Sequence, residues 1–177
     1  MRRFALLIPA VLIVLSCPAL QAQETPAWDV SGGYSYLKAD LRGTSFHLNG
    51  GAASVTENLN DWFGGRVELN AYQGSVNGTN VSAQTFTYGP VFTYRRFDKI
   101  APFAHVQLGA IHASQGYLGI STSAFKFAMT AGGGVDVKIS QRAAIRLQGD
   151  YLMTRFLGLR QDNVQGSVGL VVRFGTK

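Results

Sequence analysis

His112 and Ser114 are the residues of this chain best suited to nucleophilic chemistry, because they stand two positions apart in a segment that alternates apolar and polar residues. Residues two apart share one face of a β-strand, so the imidazole could act as a base for the hydroxyl. Such a pair also needs a carboxylate to orient the histidine. No acidic residue occurs between Ser114 and Asp136. The sequence therefore leaves this hydrolytic site incomplete, and we predict no catalytic residue.

Other candidates for metal or cofactor chemistry are few. His47, His105 and His112 lack the spacing of metal ligands, and the single cysteine, Cys17, lies close to the N-terminus. The run of three glycines at 132–134 precedes no predicted helix, which a phosphate-binding loop would require. The sequence accordingly predicts neither a metal nor a cofactor.

Charged residues form the strongest chemical pattern in the chain. Ten of them fall on the polar row of segments in which apolar and polar residues alternate. They are Asp29, Arg66, Glu68, Arg95, Lys126, Asp136, Lys138, Arg146, Asp150 and Arg173. If this row faces the interior of a narrow barrel, we expect the charges to form a paired network that fills it, because unpaired buried charge is costly. A gated, narrow ion path through the same interior is the alternative.

The elements that would position these charges are β-strands. Alternation with period two recurs over residues 28–36, 63–71, 86–94, 104–110, 125–137, 145–153 and 164–174. An eighth, weaker and glycine-rich strand is predicted at 46–56. Tight turns are predicted at 58–61, 97–99 and 140–142, and longer loops at 39–45, 74–82, 114–123 and 157–162. This alternation of short and long connections is typical of outer-membrane barrels.

Two features favour lipid, rather than water, around the apolar row. No charged residue falls on that row in the seven clear strands, and a charge facing lipid costs about 2–4 kcal/mol at the bilayer midplane. Aromatic residues also gather at the predicted strand ends, where a membrane barrel carries its two girdles. These aromatic residues are Trp28, Trp62, Phe63, Phe86, Tyr94, Phe97, Phe103, Phe125, Phe156 and Phe174.

The first 22 residues have the composition of a secretory signal peptide. Arg2 and Arg3 precede an apolar run at 4–15, and a short region of small and polar residues ends at Ala22. We predict cleavage after Ala22, which divides the chain into a signal peptide at 1–22 and a barrel domain at 23–177. Lipidation at Cys17 is an alternative, although Pro18 fits a lipoprotein signal poorly.

The last predicted strand resembles the C-terminal β-signal of outer-membrane proteins. That signal has a polar residue, a glycine two positions later, and hydrophobic residues three and five positions beyond the glycine. The matching positions are Ser167, Gly169, Val172 and Phe174. The tail at 175–177 departs from the pattern, since the family usually stops at the aromatic residue.

With these motifs, residues 27–175 resemble the small outer-membrane β-barrel superfamily, of the OmpA/OmpX type, and in particular its stand-alone "outer membrane protein beta-barrel domain" proteins. The resemblance implies an all-β, eight-stranded, antiparallel up-and-down transmembrane barrel in the outer membrane. Its implied partners are outer-membrane lipids, lipopolysaccharide and the barrel-assembly machinery during biogenesis. We expect a monomer that binds no nucleic acid.

The functional prediction is a non-enzymatic barrel that serves envelope integrity, surface interaction or narrow-pore passage. A lipid A hydrolase is the first alternative, because His112 and Ser114 resemble the His-x-Ser of the lipid A deacylase barrels. The glutamate that follows shortly downstream in that family is missing here. A soluble periplasmic ligand-binding barrel is the second alternative, since such barrels also alternate with period two.

Overall fold

A computed structural model describes residues 25–41, 44–76, 79–117, 120–156 and 159–176. The predicted signal peptide, including the cleavage site after Ala22 and the lipidation alternative at Cys17, lies outside these residues. Every regular element in the described ranges is a β-strand. None of these residues belongs to a helix long and apolar enough to cross a membrane.

The described residues form one closed, antiparallel barrel in which each strand pairs with the next along the chain. The eight strands are β1 Pro26–Leu41, β2 Thr44–Asn58, β3 Phe63–Val76, β4 Thr79–Thr93, β5 Ile100–Tyr117, β6 Ile120–Lys138, β7 Ala143–Phe156 and β8 Leu159–Thr176. β8 closes the barrel on β1, with Phe174 opposite Trp28 and Val172 opposite Val30. The predicted up-and-down, eight-stranded meander is confirmed, including its glycine-rich second strand.

The barrel has two distinct ends. The near end holds Pro26, Thr176 and the short connections at 59–62, 94–99 and 139–142. These connections agree with the three predicted tight turns. In the first of them, the Asn60 side-chain oxygen accepts hydrogen bonds from the backbone N–H groups of Trp62 and Phe63, at 3.1 and 2.8 Å.

At the opposite, far end, the prediction of long loops was wrong. The strands continue through most of the residues assigned to loops, so that Val76 pairs with Thr79 and Tyr117 with Ile120. The polar composition of these segments marks the limit of the apolar sequence pattern, and the end of the strand lies further on. Backbone pairing needs no apolar side chain, so a strand can extend beyond the membrane into water.

Burial alternates along each strand and separates an inward row from an outward row. On β8, Val168, Leu170 and Val172 point outward and are about half exposed, whereas Val171 and Arg173 are buried. Charged side chains do occur on the outward row at its ends. Lys38 lies toward the far end of β1, and Glu57 lies opposite Trp28 near the other end. Between these ends, the outward row is a band of apolar side chains.

The prediction that Phe103 belongs to the aromatic girdle was wrong. This residue occupies the inward row of β5 and is only 6% exposed. The guanidinium carbons of Arg66 and Arg146 lie 4.6 and 4.7 Å from the centroid of its ring. An aromatic ring attracts cations to its face, so Phe103 belongs to the interior charge network. Proximity to the start of a strand misled the prediction, because parity along the strand decides the face.

The glycine run at 132–134 provides space inside the barrel. Gly132 lies opposite Asp150 on β7. A Cβ at Gly132 would approach Oδ1 of Asp150 to 2.1 Å and the carbonyl oxygen of Gly149 to 2.4 Å. Glycine is therefore required at position 132 to accommodate the buried carboxylate. Gly149, by contrast, faces outward into open space.

We predict that Gly132→Ala lowers the free energy of unfolding by about 1–3 kcal/mol, the usual effect of overpacking an interior. The matched control is Gly149→Ala, whose new methyl group meets no atom within 4 Å. Urea unfolding in detergent micelles measures both. Equal effects of the two substitutions would contradict the assignment of Gly132 to a crowded interior.

Candidate functional site

A cluster of buried apolar side chains lies in the barrel interior toward its far end, on the inward row. Its members are Leu37, Ala39, Leu48, Tyr72, Ala83, Ile111, Ala128 and Leu152. The hydroxyl of Tyr72 hydrogen-bonds to the Ser35 hydroxyl at 3.0 Å, which satisfies its polar atom. We call this group the far-end cluster. The charge pattern did not predict it, because its residues resemble ordinary strand residues.

Two aspartates and three arginines form a chain of ion pairs toward the near end, which we call the ion-pair layer. Arg95 lies 3.2 Å from Asp29, and Arg173 lies 3.6 Å from the same carboxylate. Arg173 also reaches Asp136 at 3.1 Å. Arg146 binds Asp136 through two parallel hydrogen bonds of 2.8 and 2.9 Å. This fork geometry is the strongest form of an arginine–carboxylate contact.

Between this layer and the far-end cluster, two carboxylates are bridged by amides, an arrangement that we call the amide layer. Nε2 of Gln148 donates to Glu68 at 3.1 Å and to Asp150 at 2.7 Å. Asn70 also donates to Glu68, and Gln165 lies within 3.5 Å of both acids. Neither carboxylate has an arginine within ion-pair distance among the described contacts. Amide donors therefore replace the direct pairing predicted for these two acids.

His105 lies between the amide layer and Arg66, and it was absent from the predicted network, which contained only aspartate, glutamate, lysine and arginine. Its Nε2 lies 2.9 Å from Oδ1 of Asp150, and its Nδ1 lies 3.3 Å from Nη1 of Arg66. Arg66 also donates from Nε to the Thr56 hydroxyl at 2.9 Å. The signal available in the sequence was the place of His105 on the polar row of β5.

The structure brings together eight of the ten predicted network residues. The other two are lysines that lie apart. Lys126 is in register with Ile111 in the far half of the barrel, and no described contact joins it to either layer. Lys138 lies at the near end, where its Nζ donates to the carbonyl oxygen of Phe97 at 3.1 Å. Inward parity alone therefore did not place these two lysines in either layer.

The residues predicted for the β-signal lie on the closing strand. Ser167 and Gly169 are on its inward row, and Val172 and Phe174 are on its outward row. Gly169 pairs with Gly33 of β1, where a Cβ would approach the Gly32 carbonyl oxygen to 2.7 Å. Close contact between β8 and β1 thus depends on this glycine. Recognition of these residues as an assembly signal stays a prediction.

His112 and Ser114 share one face of β5, as their spacing predicted, and this is the outward face, but they do not form a catalytic pair. Ser114 hydrogen-bonds to Ser82 at 2.7 Å. The His112 ring packs against Phe125, with 4.3 Å between ring centroids, and its Nδ1 has no hydrogen-bond partner among the side chains that the structure describes. Within that part of the chain, no carboxylate orients this histidine through Nδ1, as a hydrolytic site would require.

The family of the chain follows from its sequence match and its closed barrel. Residues 7–174 match the family described as "Outer membrane protein beta-barrel domain". The chain belongs to this family. It is an outer-membrane barrel, which explains the apolar outward band. A comparison with curated proteins found no match.

Several solved structures of outer-membrane barrels share this fold at low sequence identity. Neisserial surface protein A has a TM-score of 0.75 and 14% identity, covering 84% of this chain and 97% of its own. The attachment invasion locus protein of Yersinia pestis has a TM-score of 0.62 and 16% identity, covering 85% and 100%. OprG from Pseudomonas aeruginosa has a TM-score of 0.57 and 10% identity, covering 88% and 100%. At these identities, the likeness concerns the fold alone.

The ion-pair layer and the amide layer should respond differently to the loss of a carboxylate charge. We predict that Asp136→Asn lowers the free energy of unfolding by about 3 kcal/mol, because it removes the carboxylate that two buried arginines share. Glu68→Gln should change it by less than about 1 kcal/mol, since the surrounding amides can donate to the new amide oxygen. Urea unfolding in micelles gives both values. A larger loss for Glu68→Gln would show that its charge, rather than its hydrogen bonds, stabilises the interior.

Proposed function

We propose that this chain is a non-enzymatic barrel with a closed lumen, which contributes to envelope integrity and presents its far-end hairpins at the cell surface. The observation that carries the proposal is the filled interior. The ion-pair layer, the amide layer and the far-end cluster follow one another along the barrel, and their side chains are buried. A water-filled pore would leave such side chains solvated.

The small size of one cavity beside these side chains supports a closed lumen. A cavity of about 20 Å³ lies beside Ser54, Glu68, Arg146 and Gln148. Roughly 10–15 Å³ is needed for one water molecule, so this space holds one or two. An eight-stranded barrel is just wide enough for its own side chains to fill it. Narrow-pore passage is thus the least supported of the three predicted roles.

The polarity of the outward surface supports presentation of the far-end hairpins. On β3, the outward row changes from Leu69 and Ala71 to Gln73 and Ser75 toward the far end. On β2, His47 and Asn49 are exposed in the corresponding region. We infer that the membrane ends near these positions and that the hairpins continue beyond it. Short near-end turns then face the periplasm, as is usual for bacterial barrels.

The partners proposed for the barrel follow from its surface and its closure. The apolar outward band suits outer-membrane lipids, with lipopolysaccharide in the outer leaflet. The barrel-assembly machinery would recognise the C-terminal strand during biogenesis. Because the hydrogen-bond ladder closes within one chain, the barrel leaves no edge for a second copy, and we expect a monomer. The chain carries no lysine or arginine cluster suited to nucleic acid.

We predict that the refolded protein gives no steady single-channel conductance in planar bilayers, because its lumen is filled. A porin with a water-filled lumen, inserted in the same bilayers, is the positive control. A shift in gel mobility on heating verifies that the protein is folded. Reproducible, long-lived conductance steps from the folded protein would refute the closed lumen and favour the pore alternative.

A further inference from the structure

The β-signal pattern of the closing strand occurs at two other places in the chain. The pattern has a polar residue, a glycine two positions later, and hydrophobic residues three and five positions beyond the glycine. Of the 21 glycines in the sequence, only Gly89, Gly132 and Gly169 meet it. The two internal matches are Thr87, Gly89, Phe92 and Tyr94, and Thr130, Gly132, Val135 and Val137.

Strand direction unites the three matches. Their glycines lie on β4, β6 and β8, which all run toward the near end because the barrel is an antiparallel meander. The strands that run the opposite way carry no match. On β1, Gly33 fails because Lys38 stands at the last position, and on β5, Gly109 fails because His112 stands at the first hydrophobic position. In each match, the glycine is on the inward row and the hydrophobic pair follows on the outward row.

The glycines of β4 and β8 also have the same structural role, which is close approach to the neighbouring strand. A Cβ at Gly89 would come within 2.1 Å of the carbonyl oxygen of Val106 on β5. A Cβ at Gly169 would come within 2.7 Å of the carbonyl oxygen of Gly32 on β1. A glycine in a strand marks a place where another backbone approaches closely, which suits a segment that is recognised by strand pairing.

Of the two internal matches, the one on β4 is more similar to the closing strand. Its last position holds an aromatic residue, Tyr94, as β8 holds Phe174, whereas β6 holds Val137. Phe92 is 45% exposed on the outward row. In the closed barrel, both edges of β4 are paired, with β3 on one side and β5 on the other. The backbone of this strand is therefore accessible to a partner only before the barrel is complete.

We propose that β4 carries a second recognition site for the barrel-assembly machinery, used before β4 pairs with β5. The site consists of Thr87, Gly89, Phe92 and Tyr94. The machinery binds the segment as an added strand, through backbone hydrogen bonds, and the outward aromatic residues supply side-chain contacts. Since β4 ends the first half of the barrel, this binding covers the unpaired edge of an incomplete sheet. The site rests on the proposed recognition of the C-terminal strand, because it is inferred from the same pattern.

Assembly of the urea-unfolded chain, from residue 23 onward, into liposomes with and without the purified machinery tests this site. Heat-dependent gel mobility measures the folded fraction over time. For Tyr94→Ala, the ratio of the assisted rate to the unassisted rate should fall about five-fold, the effect of one lost aromatic contact. The matched control is Tyr88→Ala, which removes an exposed tyrosine from the outward row of the same strand, outside the pattern. Its ratio should equal that of wild type.

Equal ratios for Tyr94→Ala and Tyr88→Ala would overturn the proposal. Equal slowing of Tyr94→Ala with and without the machinery would also overturn it, because that result indicates a role in folding alone. Phe174→Ala, measured in the same way, separates the site on β4 from the C-terminal signal. A lower ratio for Phe174→Ala alone refutes the site on β4. A lower ratio for Tyr94→Ala alone supports this site and refutes recognition of β8.

Discussion

Closure of the strand ladder between β1 and β8 is the constraint on which the rest of the structure depends. In lipid, each backbone N–H and C=O group must find a partner within the protein, and a sheet achieves this only by having no edge. The pairing of Trp28 with Phe174 and of Val30 with Val172 completes the ladder. Once the barrel is closed, each side chain in its membrane-spanning part faces either lipid or a narrow interior. Polar and charged residues must then satisfy one another inside.

The interior meets this demand in different ways along its length. Near the termini, Arg146, Asp136 and Arg173 pair directly, and their opposite charges offset the cost of desolvation. Further in, Gln148 bridges Glu68 and Asp150, so neutral donors hold two acids. Toward the far end, a cluster of buried apolar side chains packs together, and no ion pair joins its described members. This succession of layers supports a barrel whose interior stabilises the fold. Its outward surface then contacts lipid, and its far-end hairpins reach the exterior.

Alternation in the sequence predicted the strands and the inward charges because period two and the exclusion of charge from lipid are local properties. The pairing of those charges depends on register and strand tilt, which local pattern does not encode. Arg66 and Gln148, for example, meet across 82 positions of sequence. The same reasoning missed His105, because it considered only aspartate, glutamate, lysine and arginine. It also placed Phe103 at the interface, because this residue lies near the start of a strand. The hydropathy pattern likewise indicates where the membrane ends, and the strands extend beyond that point at the far end.

The exchange of arginine Nε–H protons with water tests the filled lumen most directly. NMR of the protein in micelles can follow these protons on Arg66 and Arg146, which donate to Thr56 and Asp136 at 2.9 and 2.8 Å. Arg142, exposed in a near-end turn, is the internal reference. A closed lumen predicts separate Nε–H signals for the two interior arginines at neutral pH, with exchange much slower than at Arg142. Exchange at Arg66 and Arg146 as fast as at Arg142 would mean that water passes through the barrel.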